Sequence, residues 1–209
     1  MFDCLGNRCV LHYFNVGESM GKLTFITGGA RSGKSGYAEK LAKESGEIVT
    51  YIATAIPFDE GMKARIKHHR EQRPQEWETI EQYKNFSEIQ NNQSFMKADV
   101  ILLDCITIMV TNNMMDYDVD YDNCSMAVVE QVEAKIKKEI IELLKVCQNK
   151  KLIIVSNELG MGLVPAYKMG NYFRDIAGRM NQYIAAQADD AYFTVSGIPI
   201  ALKTLRTDI

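Results

Sequence analysis

Residues 28–35, GGARSGKS, place Gly28, Gly33, Lys34 and Ser35 at the defined positions of G-x-x-x-x-G-K-[ST]. Glycines let a chain curl so that successive backbone N–H groups point inward, and a helix N-terminus directly behind adds positive potential. In such a loop Lys34 reaches the β- and γ-phosphates of a nucleotide, and the Ser35 hydroxyl completes a Mg²⁺ shell. The apolar run Phe25–Thr27 leads in and a helical run leads out from Ser35. A glycine-rich turn with no nucleotide leaves that order unexplained. The stretch is read as a nucleotide-phosphate site.

Two further groups carry chemistry. Asp104 ends the apolar run VILLD, and a carboxylate closing a buried strand beside a P-loop holds Mg²⁺ directly or through water. The pair His68–His69 is less ordinary. Phosphoryl transfer to a small hydroxyl needs positioning and charge neutralisation rather than a covalent nucleophile. A histidine is needed when a nucleotidyl group rests on the protein between two half-reactions, because neutral imidazole can attack phosphorus through one nitrogen. Helix neighbours point about 100° apart, so one short helix cannot aim both rings inward. Met62, Ile66 and His69 share one face by their i, i+4, i+7 spacing, which makes His69 the inward candidate. Spacing alone also allows an ordinary polar helix with both histidines solvated.

The positioning elements are read from patterning. The strands LTFIT (23–27), EIVTYIAT (47–54), EWETIE (76–81), VILLD (100–104), KLIIVSNE (151–158), DAYFTV (190–195) and IALK (200–203) alternate with helical runs. Those runs come after the glycine loop and cover 59–72, 125–148 and 172–188. The alternation predicts a parallel α/β sheet, with ligands beyond the C-terminal ends of its strands. The loop 28–35, the ATA run after the second strand, Asp104, and the NELGMG run would meet there. The acidic stretch 112–123 reads as a mobile loop. Asp175 and Arg179 read as a solvated i, i+4 pair, and Asn157 and Glu158 as the site's edge. Trp77, Met109, Met114 and Met115 read as packing or loop residues.

Composition bounds the rest. The chain has 209 residues, 46% hydrophobic and 24% charged, with a net charge of −3. That length suits one sizeable core, and no basic excess points to nucleic acid. No apolar run reaches membrane-span length. Five cysteines (Cys4, Cys9, Cys105, Cys124, Cys147) form no C-x-x-C or zinc spacing, so a reducing cytoplasm is the simplest compartment. Cys105 and Cys147, beside apolar runs, read as buried thiols. Residues 1–20 differ in character from the rest of the chain and read as a peripheral N-terminal extension before a single domain over 21–209. No N-K-x-D run for guanine reading is present, which weighs against a signalling GTPase.

The blocks TGGARSGKS, YIAT, RIKHHREQRP, LLDCIT, SNE-GMG-VP and FRDIAGRMNQ occur in an order that resembles the bifunctional adenosylcobinamide kinase/adenosylcobinamide-phosphate guanylyltransferase family of cobalamin assembly. The resemblance runs from about Leu23 to Ile200, and RIKHHREQRP is its most specific block. It implies a three-layer, RecA-like α/β P-loop fold with a mostly parallel central sheet flanked by helices. It places the guanylylated histidine on His69 and the P-loop on Gly28, Gly29, Ala30, Arg31, Ser32, Gly33, Lys34 and Ser35. Further nucleotide contacts fall on Ala53, Thr54 and Ala55, on Arg70, Glu71, Gln72 and Arg73, and on Glu81. The strand-end carboxylate is Asp104, a metal contact together with Ser35. The implied ligands are Mg²⁺, GTP or ATP, and adenosylcobinamide with its phosphate; the implied assembly is a homo-oligomer. A P-loop small-molecule kinase without the guanylyl step is the alternative.

Overall fold

The computed structural model describes residues 21–56, 70–71 and 73–205. Its strands are β1 (Leu23–Gly28), β2 (Val49–Ala53), β3 (Glu78–Glu81), β4 (Val100–Asp104), β5 (Lys151–Asn157), β6 (Asp190–Val195) and β7 (Ile198–Ala201). The helices are α1 (Lys34–Glu44), α2 (Gln93–Lys97), α3 (Ile106–Asp116), α4 (Met126–Val146) and α5 (Lys168–Gln187). The strands form one sheet in the order β3-β2-β4-β5-β1-β6-β7. Every neighbouring pair is parallel except β6 with β7. This is the expected mostly parallel sheet flanked by helices. One strand, β5, separates the strand that feeds the glycine loop from the strand that ends in Asp104.

Sheets covered on both faces have strands that read as continuous apolar runs. Because successive side chains point to opposite faces, one strand serves two cores. Phe25, Ile101, Leu103, Leu152 and Ile154 join a large core with α3, α4 and α5. Ile26, Val100, Leu102, Ile153 and Val155 join a smaller one with α1. In α4 the stripe Val129, Val132, Ile136, Ile140, Leu143 is buried, at the spacing of one helix face. In α1 the buried apolar positions are Ala38 and Ala42, whose small side chains let the helix approach the sheet closely.

Buried amides tie together the chain just beyond the C-terminal ends of the strands. Asn112 on α3 donates to the Thr54 carbonyl at 2.7 Å, and Asn113 donates to the carbonyls of Tyr83 and Met109. These contacts correct one expectation. Residues 112–116 of the supposed loop close α3, and Tyr121 beyond them is buried, donating to the Met114 carbonyl at 3.0 Å. The helix is held by side chains distant in sequence, which acidic composition does not reveal. Arg179 is a second correction. It makes a two-pronged pair with Glu133 on α4 at 2.6 and 2.7 Å, joining two helices rather than bonding within its own. Most of the helix expected over 59–72 lies outside the described residues.

Two outcomes are expected. Ile140 is fully buried, so Ile140→Ala should cost about 2–5 kcal/mol, read as a lower urea midpoint with an unchanged slope. Burial pushes the Cys105 and Cys147 thiols up to about 12. Iodoacetamide at pH 8 should therefore spare both in the native protein while modifying half-buried Cys124, as peptide mapping would record.

Candidate active site

The glycine loop leaves β1 at the catalytic edge of the sheet and is fixed by both neighbouring strands. A Cβ at Gly28 would lie 2.3 Å from the Thr194 carbonyl oxygen on β6, so only glycine fits. The backbone N–H of Glu158, just past β5, donates to the Gly28 carbonyl at 2.9 Å. The N–H of Gly197, in the β6–β7 turn, donates to the Ser32 carbonyl at 2.9 Å. Gly33 has φ +95° and opens α1, a conformation that glycine adopts without steric cost.

Lys34 is buried, and its ammonium donates to the Gly29 carbonyl at 2.7 Å. Desolvation lowers its pKa, opposed by Cys105 and by Asp104. The ammonium thus folds back over its own loop, within the field of the strand-end carboxylate.

A cavity of about 480 Å³ opens here. Among the described residues its wall includes Arg31, Ser32, Gly33, Lys34 and Ser35 from the loop, then Ala53, Ala55, Arg70, Arg73, Glu81 and Asp104. These come from five separate stretches of chain, and the parallel sheet brings their strand ends together. The cavity follows the edge from β1 past β5, β4 and β2 to β3, about 19 Å at the usual strand spacing.

The other anticipated residues lie differently. Gly28 and Gly29 supply turn backbone, and Ala30 is exposed. Thr54 is committed to the scaffold: its hydroxyl donates to the Cys105 carbonyl and accepts the Cys105 N–H, both at 2.9 Å. Glu71 borders an adjoining surface pocket with Arg70 and Arg73. His69 and Gln72 lie outside the described residues.

Tyr51, Thr79, Cys105, Ile108 and Asn157 also line the cavity. Of these, the sequence placed only Asn157 at the site's edge, and Cys105 read as a buried thiol. Strand alternation carried the signal for two others, because Tyr51 shares a face with Ala53, and Thr79 with Glu81. The Arg73 guanidinium lies 3.3 Å from the centre of the Tyr51 ring, a cation–π contact. Burial pushes the Tyr51 phenol well above its ordinary value, and nearby Asp104 adds to the effect.

Two polar atoms bordering the cavity, Ser32 Oγ and Arg73 Nε, are buried without a hydrogen-bond partner among the described residues. Buried polar groups are ordinarily paired, and both atoms are donors suited to an anion. Ser35 and Asp104 provide a hydroxyl and one carboxylate. That is a hard oxygen set of the sort Mg²⁺ takes when substrate phosphates complete its shell. No cluster of three His, Cys, Asp or Glu able to hold a metal by itself occurs among the described residues.

Comparison with known proteins identifies the family. The family described as cobinamide kinase / cobinamide phosphate guanyltransferase matches residues 24–202. The bifunctional adenosylcobalamin biosynthesis protein CobU of Escherichia coli K12 is 43% identical over 185 residues, covering 87% of this chain and 99% of that protein. CobP of Pseudomonas aeruginosa, with the same description, is 36% identical over 178 residues, covering 85% and 95%. Among solved structures, the flagellar accessory protein FlaH of Methanocaldococcus jannaschii superposes with a TM-score of 0.40 at 19% identity. That match covers 88% of this chain and 76% of FlaH, a likeness too loose to carry function. On the matched family and these full-length relatives, the chain belongs to the cobinamide kinase / cobinamide phosphate guanyltransferase family.

Proposed function

We propose that this chain phosphorylates the aminopropanol hydroxyl of adenosylcobinamide and then transfers GMP from GTP to the resulting phosphate through His69. The observation that carries the reading is the placement of Arg70. It lines the same cavity as the phosphate loop, and one peptide unit, about 3.8 Å between Cα atoms, separates it from His69. The chain next to the proposed nucleophile therefore reaches the cavity at Arg70.

In the kinase step the substrate hydroxyl attacks the γ-phosphorus of a nucleoside triphosphate. The bond to the β-bridging oxygen breaks, the diphosphate leaves, and the hydroxyl proton passes to solvent. Lys34 and the loop N–H groups hold the phosphates and offset charge as it moves to the leaving oxygen. In the transferase step a ring nitrogen of His69 attacks the α-phosphorus of GTP and pyrophosphate departs. The phosphate of the acceptor then attacks that phosphorus, the P–N bond breaks, and neutral imidazole is regenerated. Arg70 and Arg73 would hold phosphate oxygens during these steps, Arg73 through an Nε that has no partner among the described residues.

Ser35 and Asp104 are the residues that would hold Mg²⁺, which supplies charge neutralisation at the phosphates when bound. Tyr51 seats Arg73 against its ring. Ala53 and Ala55 present little side chain and leave room beside the strand ends. Glu81, at the β3 edge, is placed to accept a hydrogen bond from the nucleoside.

The test is incubation with Mg²⁺ and GTP labelled at the α-phosphate, comparing wild type, His68→Ala and His69→Ala. An alkali-stable, acid-labile adduct should form in the first two and be absent from His69→Ala. A folded, GTP-binding wild type that forms no adduct would overturn the covalent route and leave a P-loop kinase. Lys34→Ala should lower kcat/KM of the kinase step by on the order of 10²–10³. Its thermal midpoint should not fall, because folding desolvates the Lys34 ammonium and disfavours its charged form.

A further inference from the structure

The cavity is small for two substrates. Its volume of about 480 Å³ lies toward the lower end for ligand pockets, and a nucleoside triphosphate on the loop claims that space. A corrin macrocycle is much larger than a nucleotide base. Only its hydroxyl-bearing arm can enter, so the ring must rest on the cavity's rim.

One uncharged, apolar segment continues along the chain from the cavity lining. Asn157 ends β5 and lines the cavity, and the next residue, Glu158, is bonded to the Gly28 carbonyl. From there the chain runs to α5 through residues 159–167, LGMGLVPAY, which carry no charge. Met161 is 80% exposed, Leu163 96%, Val164 66% and Tyr167 64%. The segment is nonetheless built. The Glu158 carboxylate accepts the Gly160 N–H at 2.5 Å, and Asn171 donates to the Pro165 carbonyl at 3.0 Å. Gly170 admits Pro165 and Tyr167 so closely that a Cβ there would lie 2.7 and 2.8 Å from them. Anchored backbone with its apolar side chains turned to water marks a contact surface.

We propose that the ridge Met161, Leu163, Val164 and Tyr167 is the surface on which the corrin ring of adenosylcobinamide lies while its arm reaches the phosphate loop. The inference rests on the function proposed above. Continuity favours the substrate over a second copy of the chain, because the ridge starts immediately beyond a cavity-lining residue and a loop-bonded one. Its chemistry suits the same occupant: the ring periphery carries methyl groups and uncharged amides. The uncharged ridge offers apolar contact to the methyls and glycine backbone to the amides.

The deciding experiment uses the full chain with Met161→Ser and Leu163→Ser combined. Both positions are exposed, so folding should be unaffected. Four quantities are measured: KM and kcat of the kinase step with adenosylcobinamide, adduct formation with GTP alone, and the sedimentation coefficient. The expected result is a KM raised on the order of tenfold or more, with kcat, adduct and sedimentation unchanged. An unchanged KM overturns the proposal. So does a change in sedimentation with kinase and adduct falling together, which would make the ridge a subunit contact. A wild type that phosphorylates no corrinoid overturns the functional reading itself, and the ridge's role falls with it.

Discussion

The site hangs on one close approach, that of the phosphate loop's first residue to its neighbour Thr194 on β6. Gly28 has no room for a side chain against the Thr194 carbonyl, and that contact sets where the loop begins to turn. Because β1 lies between β5 and β6, the chain leaving each neighbour can donate a backbone N–H into the loop, from Glu158 on one side and Gly197 on the other. A phosphate-binding loop acts by presenting donors already in place, since reorganisation at the moment of transfer would raise the barrier. Position in the sheet supplies that readiness. The same loop at a sheet edge would lose one of its two clamps.

The two faces of the sheet divide the work. The face under α3, α4 and α5 buries the longer apolar stripes and carries most of the packing. The face under α1 is smaller, and there Tyr51, Ala53, Thr79 and Glu81 reach the cavity. Polar atoms without partners among the described residues gather near the strand ends, including Thr27 Oγ1, Ser156 Oγ and Thr194 Oγ1 as well as Ser32 Oγ and Arg73 Nε. A core that buries enough apolar area can tolerate such locally unfavourable groups where function needs them.

Two chemistries on one phosphate loop make physical sense in this geometry. The parallel order puts the chain leaving β2 on the same edge as the loop from β1, three strand spacings away. A triphosphate held at the loop can extend along that edge toward the chain around Arg70. Its γ- and α-phosphorus atoms then lie toward different parts of the wall. An acceptor ring too large for the cavity can keep one seat while its arm changes chemical state.

Local patterns in the amino-acid sequence were enough to locate the phosphate loop, the seven strands, the two long amphipathic helices and the carboxylate at Asp104. Each of these is written in neighbouring residues: apolar runs, a 3.6-residue stripe, glycines at defined offsets. The block RIKHHREQRP made His69 stand out, although its side chain lies outside the described residues. What tertiary structure decided was contact between distant residues. Helix α3 took the first five residues of the expected loop, 112–116, where Asn112 and Asn113 find backbone partners and Tyr121 reaches back to the Met114 carbonyl. Thr54 proved to stitch two strands, Arg179 reached Glu133 on another helix, and Arg73 settled on Tyr51. Such choices depend on which groups meet across the sheet and which remain desolvated there. The spacing of residues along one chain does not encode those meetings in any local form.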